Sequence, residues 1–375
     1  MHGQIRGLGA ESPVRAGRST ARTRHTDRKK VHAGIPLLAA LAVLAFTACA
    51  PGAEKTGAES AAPAAVELTD SFGRTIRLKN YPERIVSLAP NMTETLFLLG
   101  AGNLIVGRTD YCDYPLEAAK IPPVGSITTP SIEHIVSLAP DLIVGSTHFQ
   151  KETLAALENL RIPVYLSIVR NDDAGDAGDS NNYEEIFDTI IMLAKLVNKT
   201  EEAEKIVSVM RQRKDAVEQT VRKAAHKPRV YYMISFGEAG DYTAGRGTYI
   251  SALIKSAGGL NTGDDIEGWK YSAEALFRSQ PDIILCGTSS GGPGAGNLEK
   301  LRSTAPYNRL RAVQEGRVYG IDNNLLDRTG PRNIDGLEMM AKIFHPDLFP
   351  LEPSQAEFFP SELSPSELSP SEFSP

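Results

Sequence analysis

Residues 131–145 read SIEHIVSLAPDLIVG, and residues 272–286 read SAEALFRSQPDIILC. The second stretch begins 141 residues after the first (272 minus 131), and Ser, Glu, Pro and Asp recur in register. Each copy opens on a serine suited to cap a helix, breaks at a proline and ends in a short apolar run of strand type. A helix–break–strand unit used twice in one chain predicts two α/β lobes of the same construction.

The surroundings of each copy extend that pattern. Before the first copy, Arg84–Leu88 is an apolar run closed by Pro90. Asn91 and Glu94 then stand at capping-box spacing before a helix over Met92–Leu99, which Gly100 and Gly102 stop. Leu104–Gly107, Asp141–Val144 and Pro163–Ser167 read as further strands, with a helix over 150–160. The polar, Gly-rich residues 170–182 read as a surface loop. A long helix is expected over 200–227, capped by Thr200, with apolar residues at 203, 206, 207, 210, 217, 221 and 224 along one face and Pro228 at its end. About 25 helical residues reach roughly 35–40 Å, enough to cross from one lobe to another. The alternation then restarts with strands over Arg229–Ile234, Asp282–Cys286 and Arg317–Ile321. Helices are expected over Thr248–Ala257, Ser272–Ser279 and Pro331–Phe344. The expected division is an N-terminal α/β lobe over 66–182, a helical region over 183–227 and a C-terminal α/β lobe over 228–350.

The chain ends carry different information. Arg6, Arg15, Arg18, Arg22, Arg24, Arg28, Lys29 and Lys30 precede an apolar run from Ile35 to Phe46, followed by Thr47, Ala48 and Cys49. A basic flank, a short apolar core and small residues predict a signal peptide over 1–48. The core is too short to span a bilayer comfortably. Cys49 directly after it resembles a bacterial lipobox and is the expected lipidation site; the competing reading is an ordinary signal peptide beside a bystander cysteine. Residues 50–65 hold only Ala, Gly, Pro, Ser, Thr and charges, the composition of a flexible tether. From Pro360 the chain repeats Pro-Ser-Glu-Leu-Ser, so 351–375 is expected to be a disordered tail.

Composition removes several function classes. Forty Lys and Arg against 46 Asp and Glu give a net charge of -6, the wrong sign for gripping nucleic-acid phosphates. Cys49, Cys112 and Cys286 are too spread for a disulfide framework or a CxxC metal site. No His/Glu pair stands at helical metal-ligand spacing, so no protein-built metal site and no resident cofactor are expected. The glycines from 291 to 296 lack the Lys-Ser/Thr of a phosphate loop.

Glu133 and Glu274 occupy matching places in the two copies. An acid in a first helical turn is stabilising on dipole grounds alone, by ~0.3–1 kcal/mol. The alternative is that each lobe presents one carboxylate to a partner with matched cations, where Arg–carboxylate contacts supply both register and attraction.

At this point the chain resembles a known family. PERIVSLAPNMTETLFLLGAG, the segment Tyr111-Cys112-Asp113-Tyr114-Pro115 and IEHIVSLAPDLIVG are similar to the first lobe of the periplasmic solute-binding proteins of ABC importers for vitamin B12, haem and iron–siderophores. TAGRGTYISALIKSAGG, WKYSAEALFRSQPDIIL and TGPRNIDGLEMMAKIFHPDLF are similar to its second lobe. The resemblance covers about residues 66–350. It implies two Rossmann-like lobes joined by one long rigid interdomain helix, with the ligand cleft between them. It further implies a lipid-anchored, non-enzymatic monomer on the outer face of the membrane, whose Glu133 and Glu274 dock onto permease arginines. The ligand is expected at the carboxyl ends of parallel strands. Met92, Tyr111, His148, Arg246, Tyr249, Trp269 and Arg328 are the candidate contacts, within loops that also hold Asn91, Ser146, Phe236, Thr288 and Asn323. Rigid aromatics with a few polar groups suit a bulky metal complex. Tyr111 before Asp113-Tyr114-Pro115 looks closest to the cobalamin branch. Anionic iron–siderophores come second, on Arg246 and Arg328, and haem third, on Tyr111, His148 and Tyr249 as available axial ligands. Any metal then arrives inside the ligand.

Two rivals are visible. Gly287-Thr288-Ser289-Ser290-Gly291, with Asp327 and His345, spells the order of an α/β-hydrolase triad. The glycines and Pro293 that follow forbid the helix that motif needs. A sensor lipoprotein of the same fold, with no transport role, is the other.

Overall fold

A computed structural model describes residues 65–146, 151–168, 182–288 and 296–349. Cys49, His148, Ser289, the leader, the tail and nearly all of the 170–182 loop lie outside the described residues, all of which fall within one compact unit of the chain, Ser60–Pro375.

The chain enters through a hairpin that the sequence reading missed, β1 (Val66–Thr69) against β2 (Thr75–Leu78). Asp70 closes its turn: its Oδ1 accepts from the Phe72 and Arg74 amides, both at 2.9 Å. The first lobe then runs β3 (Ile85–Ser87), α1 (Pro90–Leu98), β4 (Ile105–Arg108), α2 (Ile132–Ser137), β5 (Leu142–Gly145), α3 (Lys151–Asn159) and β6 (Val164–Leu166). Helices α4 (Asn182–Leu196) and α5 (Thr200–Val221) follow. The second lobe comprises β7 (Arg229–Met233), α6 (Tyr249–Ser256), β8 (Leu260–Asn261), α7 (Ala273–Ser279) and β9 (Ile283–Gly287), then α8 (Asn297–Ser303), α9 (Arg311–Gln314), β10 (Val318–Ile321), α10 (Asn324–Asp327) and α11 (Asn333–Phe344).

Each lobe holds a parallel four-stranded sheet, in the orders β4-β3-β5-β6 and β10-β9-β7-β8. Counted along the chain within each lobe, and with the second sheet read from its β8 edge, both orders are second, first, third, fourth. The echo between residues 131–145 and 272–286 is therefore an echo of topology. Its α2–β5 and α7–β9 segments occupy the same place in each lobe.

Strand periodicity explains how these short strands are buried on both faces. Ile85, Leu142, Val144 and Tyr165 face one way, into a core that also receives Val230, Tyr232, Ile283, Leu285 and Ile321 from the second sheet. Their neighbours alternate outward. Val86, Ile143, Val164 and Leu166 build a cluster private to the first lobe, and Tyr231, Met233, Ile284 and Cys286 one private to the second.

The shared core is completed by α4 and α5, which fill the helical region expected over 183–227. The helix expected over 200–227 is α5, of 22 residues and ending at Val221, and it lies packed against the 15-residue α4. Helix α4 packs on α1 and β1 of the first lobe, α5 packs on α11 of the second, and the two pack on each other. Helix α5 ends at Val221, whose side chain abuts the turn at Gly258 that terminates α6, and the chain then leaves the helix to enter β7. Thr200 lies inside the helix and does not cap it; Lys199 holds the cap position without a side-chain cap bond. No helix among the described residues is long and apolar enough to cross a membrane.

Candidate functional site

Because every strand in a lobe's sheet is parallel, the loops that follow the strands share one edge. Helix α1 leaves β3 at that edge in the first lobe. Residues 91–96 of α1 are all buried, so this helix sits inside the protein. The expected capping box is absent. Ala89 holds the cap position without a side-chain bond, because Asn91 and Glu94 are both used elsewhere. Asn91 Nδ2 donates to the Thr329 carbonyl at 3.1 Å, across to the second lobe.

Glu94, only 2% exposed, receives two arginines from the second lobe. Arg332 grips it with both edges, Nε to Oε2 at 2.9 Å and Nη2 to Oε1 at 2.7 Å. Arg328 Nη1 donates to Glu94 Oε1 at 2.9 Å and to Asp113 Oδ1 at 2.7 Å, and Nη2 reaches the Tyr111 carbonyl at 3.3 Å. The Arg332 guanidinium also lies 4.0 Å over the Tyr114 ring, within cation–π range. Burial pulls both arginines towards losing their protons. The hydrogen bonds and charge of Glu94, with Asp113 for Arg328, outweigh it and hold both above their usual range. Removing Glu94 would take both carboxylate bonds from Arg332 and leave Arg328 only the exposed Asp113, at a cost of about 3–5 kcal/mol. These contacts join loops after β3 and β4 to the segment after β10. The two lobes therefore meet at their carboxyl edges, where open α/β sheets bind ligands.

Nearby, Asp327 accepts from Tyr232 Oη and Asn323 Nδ2, both at 3.0 Å. Burial pushes its carboxyl above the usual range against those bonds. His345 Nε2 meets the Gly258 carbonyl at 3.2 Å. Among the described residues neither Asp327 nor His345 bonds the other, so the triad order in the sequence is not a triad in space.

The sequence candidates separate in space. Tyr111 is 55% exposed on the loop that Arg328 holds, and Cys112 beside it is buried, with its thiol pushed up by that burial. Trp269 is half-buried against the shared core. Its loop is laced to residues 243–246: Thr243 N donates to Trp269 O, Gly245 N to Gly268 O and Arg246 N to Ile266 O, each at 2.8 Å. Gly245 has no room for a side chain, since a Cβ would lie 2.4 Å from Gly268 O. Arg246 is half-exposed and, among the described residues, pairs at 2.9 Å with the more exposed Glu267, a contact worth about 0–1 kcal/mol. Its charge remains accessible.

Three candidates do not sit as expected. Met92 is fully buried in the shared core. Tyr249 packs on the same core, its phenol raised well above the usual range by burial and by Asp327. Arg328 is committed to the lobe contact. The sequence reading in turn missed Glu94 and Arg332 as partners. The available signal was an acid embedded in the apolar run Met92–Leu99, which demands a cation once the helix is buried.

On the outer surfaces, Ser131 Oγ accepts from the His134 amide at 3.2 Å, and Ser272 Oγ from the Ala275 amide at 3.1 Å. Glu133 and Glu274 follow these caps in the first turns of α2 and α7, both exposed. Neither has an ion-pair partner among the described residues. Nor does any cluster of three or more His, Cys, Asp or Glu side chains there suit a metal ion.

Residues 85–325 match the family model described as periplasmic binding protein. The uncharacterized ABC transporter substrate-binding lipoprotein YvrC of Bacillus subtilis (strain 168) is 26% identical over 329 residues, covering 85% of this chain and 99% of the relative. A vitamin B12-binding protein of Vibrio cholerae serotype O1 is 30% identical over 267 residues, covering 70% of this chain and 89% of the relative. Among solved structures, the periplasmic heme-binding protein RhuT of Roseiflexus sp. RS-1, in apo form, superposes with a TM-score of 0.61 at 26% identity, over 71% of this chain and 99% of that one.

Proposed function

The chain belongs to the periplasmic binding protein family, and we propose that it is the lipid-anchored substrate-binding protein of an ABC importer, holding a cobalamin-type metal complex between its lobes. It is a binding protein and not an enzyme. The observation that carries the proposal is the meeting of the two carboxyl edges, where open α/β sheets bind ligands, through Glu94, Arg328 and Arg332.

The walls suit a large, partly apolar guest. Tyr111 offers an exposed ring from the first lobe; Trp269 and Arg246 offer an aromatic face and an accessible cation from the second. The vitamin B12-binding relative supports a corrinoid, and in this reading the metal travels within the ligand. Haem is the second reading, favoured by the exposed Tyr111 phenol and the heme-binding structural relative. Lipidation at Cys49 is supported by the lipoprotein YvrC, which this chain matches over 99% of that relative. The exposed pair Glu133 and Glu274 supplies one permease-docking carboxylate per lobe.

Trp269 fluorescence tests the cleft assignment. It is the chain's only tryptophan, and cyanocobalamin, haem and ferric complexes all absorb near its emission. Saturable quenching by cyanocobalamin at low micromolar protein is expected. Absence of quenching with all three ligand classes, while binding is seen by dialysis, would place Trp269 outside the cleft.

A further inference from the structure

We propose that Glu94 is a positioning residue that fixes the gap between the lobes, by closing a ring of contacts that the helix pair alone leaves open. The ring can be traced through named elements. Helix α1 packs on α4, α4 on α5, and α5 on α11. Arg213 of α5 fastens the last contact, with Nε at 2.8 Å from Glu338 and Nη2 at 2.7 Å from Asp335. Arg332 stands at the N-terminal cap of α11 and returns to α1 through its two bonds to Glu94. The lobes are thus joined once by the helix pair with the core it completes, and again at the clasp. One attachment permits rotation of one lobe about it, whereas two set the separation.

The partners of the clasp are unequal, which makes the idea divisible by mutation. Glu94 and Arg332 are nearly inaccessible, whereas Asp113 is 61% exposed and shares Arg328 with Glu94. Asp113 lies two residues from Tyr111, whose carbonyl also accepts from Arg328. The clasp therefore holds the first-lobe wall of the cleft as well as the lobe angle. It rests on the function proposed above only in what it does for affinity; the effect on lobe separation stands without a ligand.

The test is a distance measurement by double electron–electron resonance on the full chain. Spin labels go at Ser137→Cys on α2 and Arg278→Cys on α7, both exposed, with Cys49→Ser; Cys112 and Cys286 are buried. Without ligand, a single narrow distance distribution is expected for the parent and for the Glu133→Gln control. Glu94→Gln is expected to broaden it or add a longer component, Arg332→Lys to do so less, and Asp113→Asn least. If Glu94→Gln does not fold, the order of Arg332→Lys and Asp113→Asn decides. Distributions unchanged in the folded variants overturn the proposal. Cyanocobalamin added to the same samples separates the two questions: a parent that binds is expected to weaken about tenfold with Glu94→Gln, as lost preorganisation does. A parent that never binds defeats the ligand assignment and leaves the distance result standing.

Discussion

Reversing both surface carboxylates, Glu133→Lys and Glu274→Lys, separates docking from helix stability. The caps at Ser131 and Ser272 place both acids in first turns, exposed and with no ion pair among the described residues. Each reversal forfeits ~0.3–1 kcal/mol of dipole attraction and adds a similar repulsion. The double variant therefore loses about 1–4 kcal/mol from a total stability on the order of 5–15 kcal/mol, and it stays folded. A docking contact has a different scale. Losing one partner of an interfacial charge pair costs about 2–5 kcal/mol, and with one contact per lobe, about 4 kcal/mol or more in all, uptake should fall by roughly a thousandfold or more. The assay pairs uptake of labelled cyanocobalamin by cells carrying the cognate importer with equilibrium dialysis of the purified variant. The expected result is uptake abolished and Kd unchanged. Undiminished uptake, or parallel loss of uptake and binding, would refute the docking reading. Glu133→Gln with Glu274→Gln, which removes charge without reversing it, should fall between.

Two further outcomes follow from buried contacts. Burial lowers the His345 pKa below 6.5 despite the Gly258 carbonyl. The unfolded chain then binds this proton more readily, and stability present above about pH 6.5 is lost as pH falls towards the folded value. His345→Gln keeps an N–H for Gly258 and should flatten that slope in guanidinium titrations at pH 7.5 and 5.5; an unchanged slope assigns it to other groups. Gly245→Ala would drive a Cβ against the carbonyls of Gly268 and Ile266, at 2.4 and 2.9 Å. About 1–3 kcal/mol of overpacking is expected, read as a lowered melting temperature.

The fold was legible because its signals were local. The apolar runs at 85–87, 142–145 and 283–287 are too short for helices and sit beside Pro or Gly breaks, and the serine caps at 131 and 272 fell where the spacing put them. The hairpin at 66–78 was missed because its order comes from the Asp70 turn and from packing on α4. The site was legible only in part. Tyr111 and Trp269 stand out as aromatics in polar loops. Asn91 and Glu94 mimic a capping box, yet their partners lie more than 230 residues away at Thr329, Arg328 and Arg332. No local pattern encodes such a contact; only the closure of the two lobes creates it. Met92 lies wholly inside the shared core and Tyr249 packs, partly buried, against it, placements that also depend on the closure of the two lobes.

Isothermal titration of the purified protein with cyanocobalamin tests the central claim most directly, with haemin and a ferric hydroxamate siderophore run in parallel. Saturable binding of cyanocobalamin at one site per chain, tighter than that of the other two, is the predicted result. Absence of binding by all three complexes would contradict the account, because a cleft built from both carboxyl edges would then have no metal-complex guest to deliver.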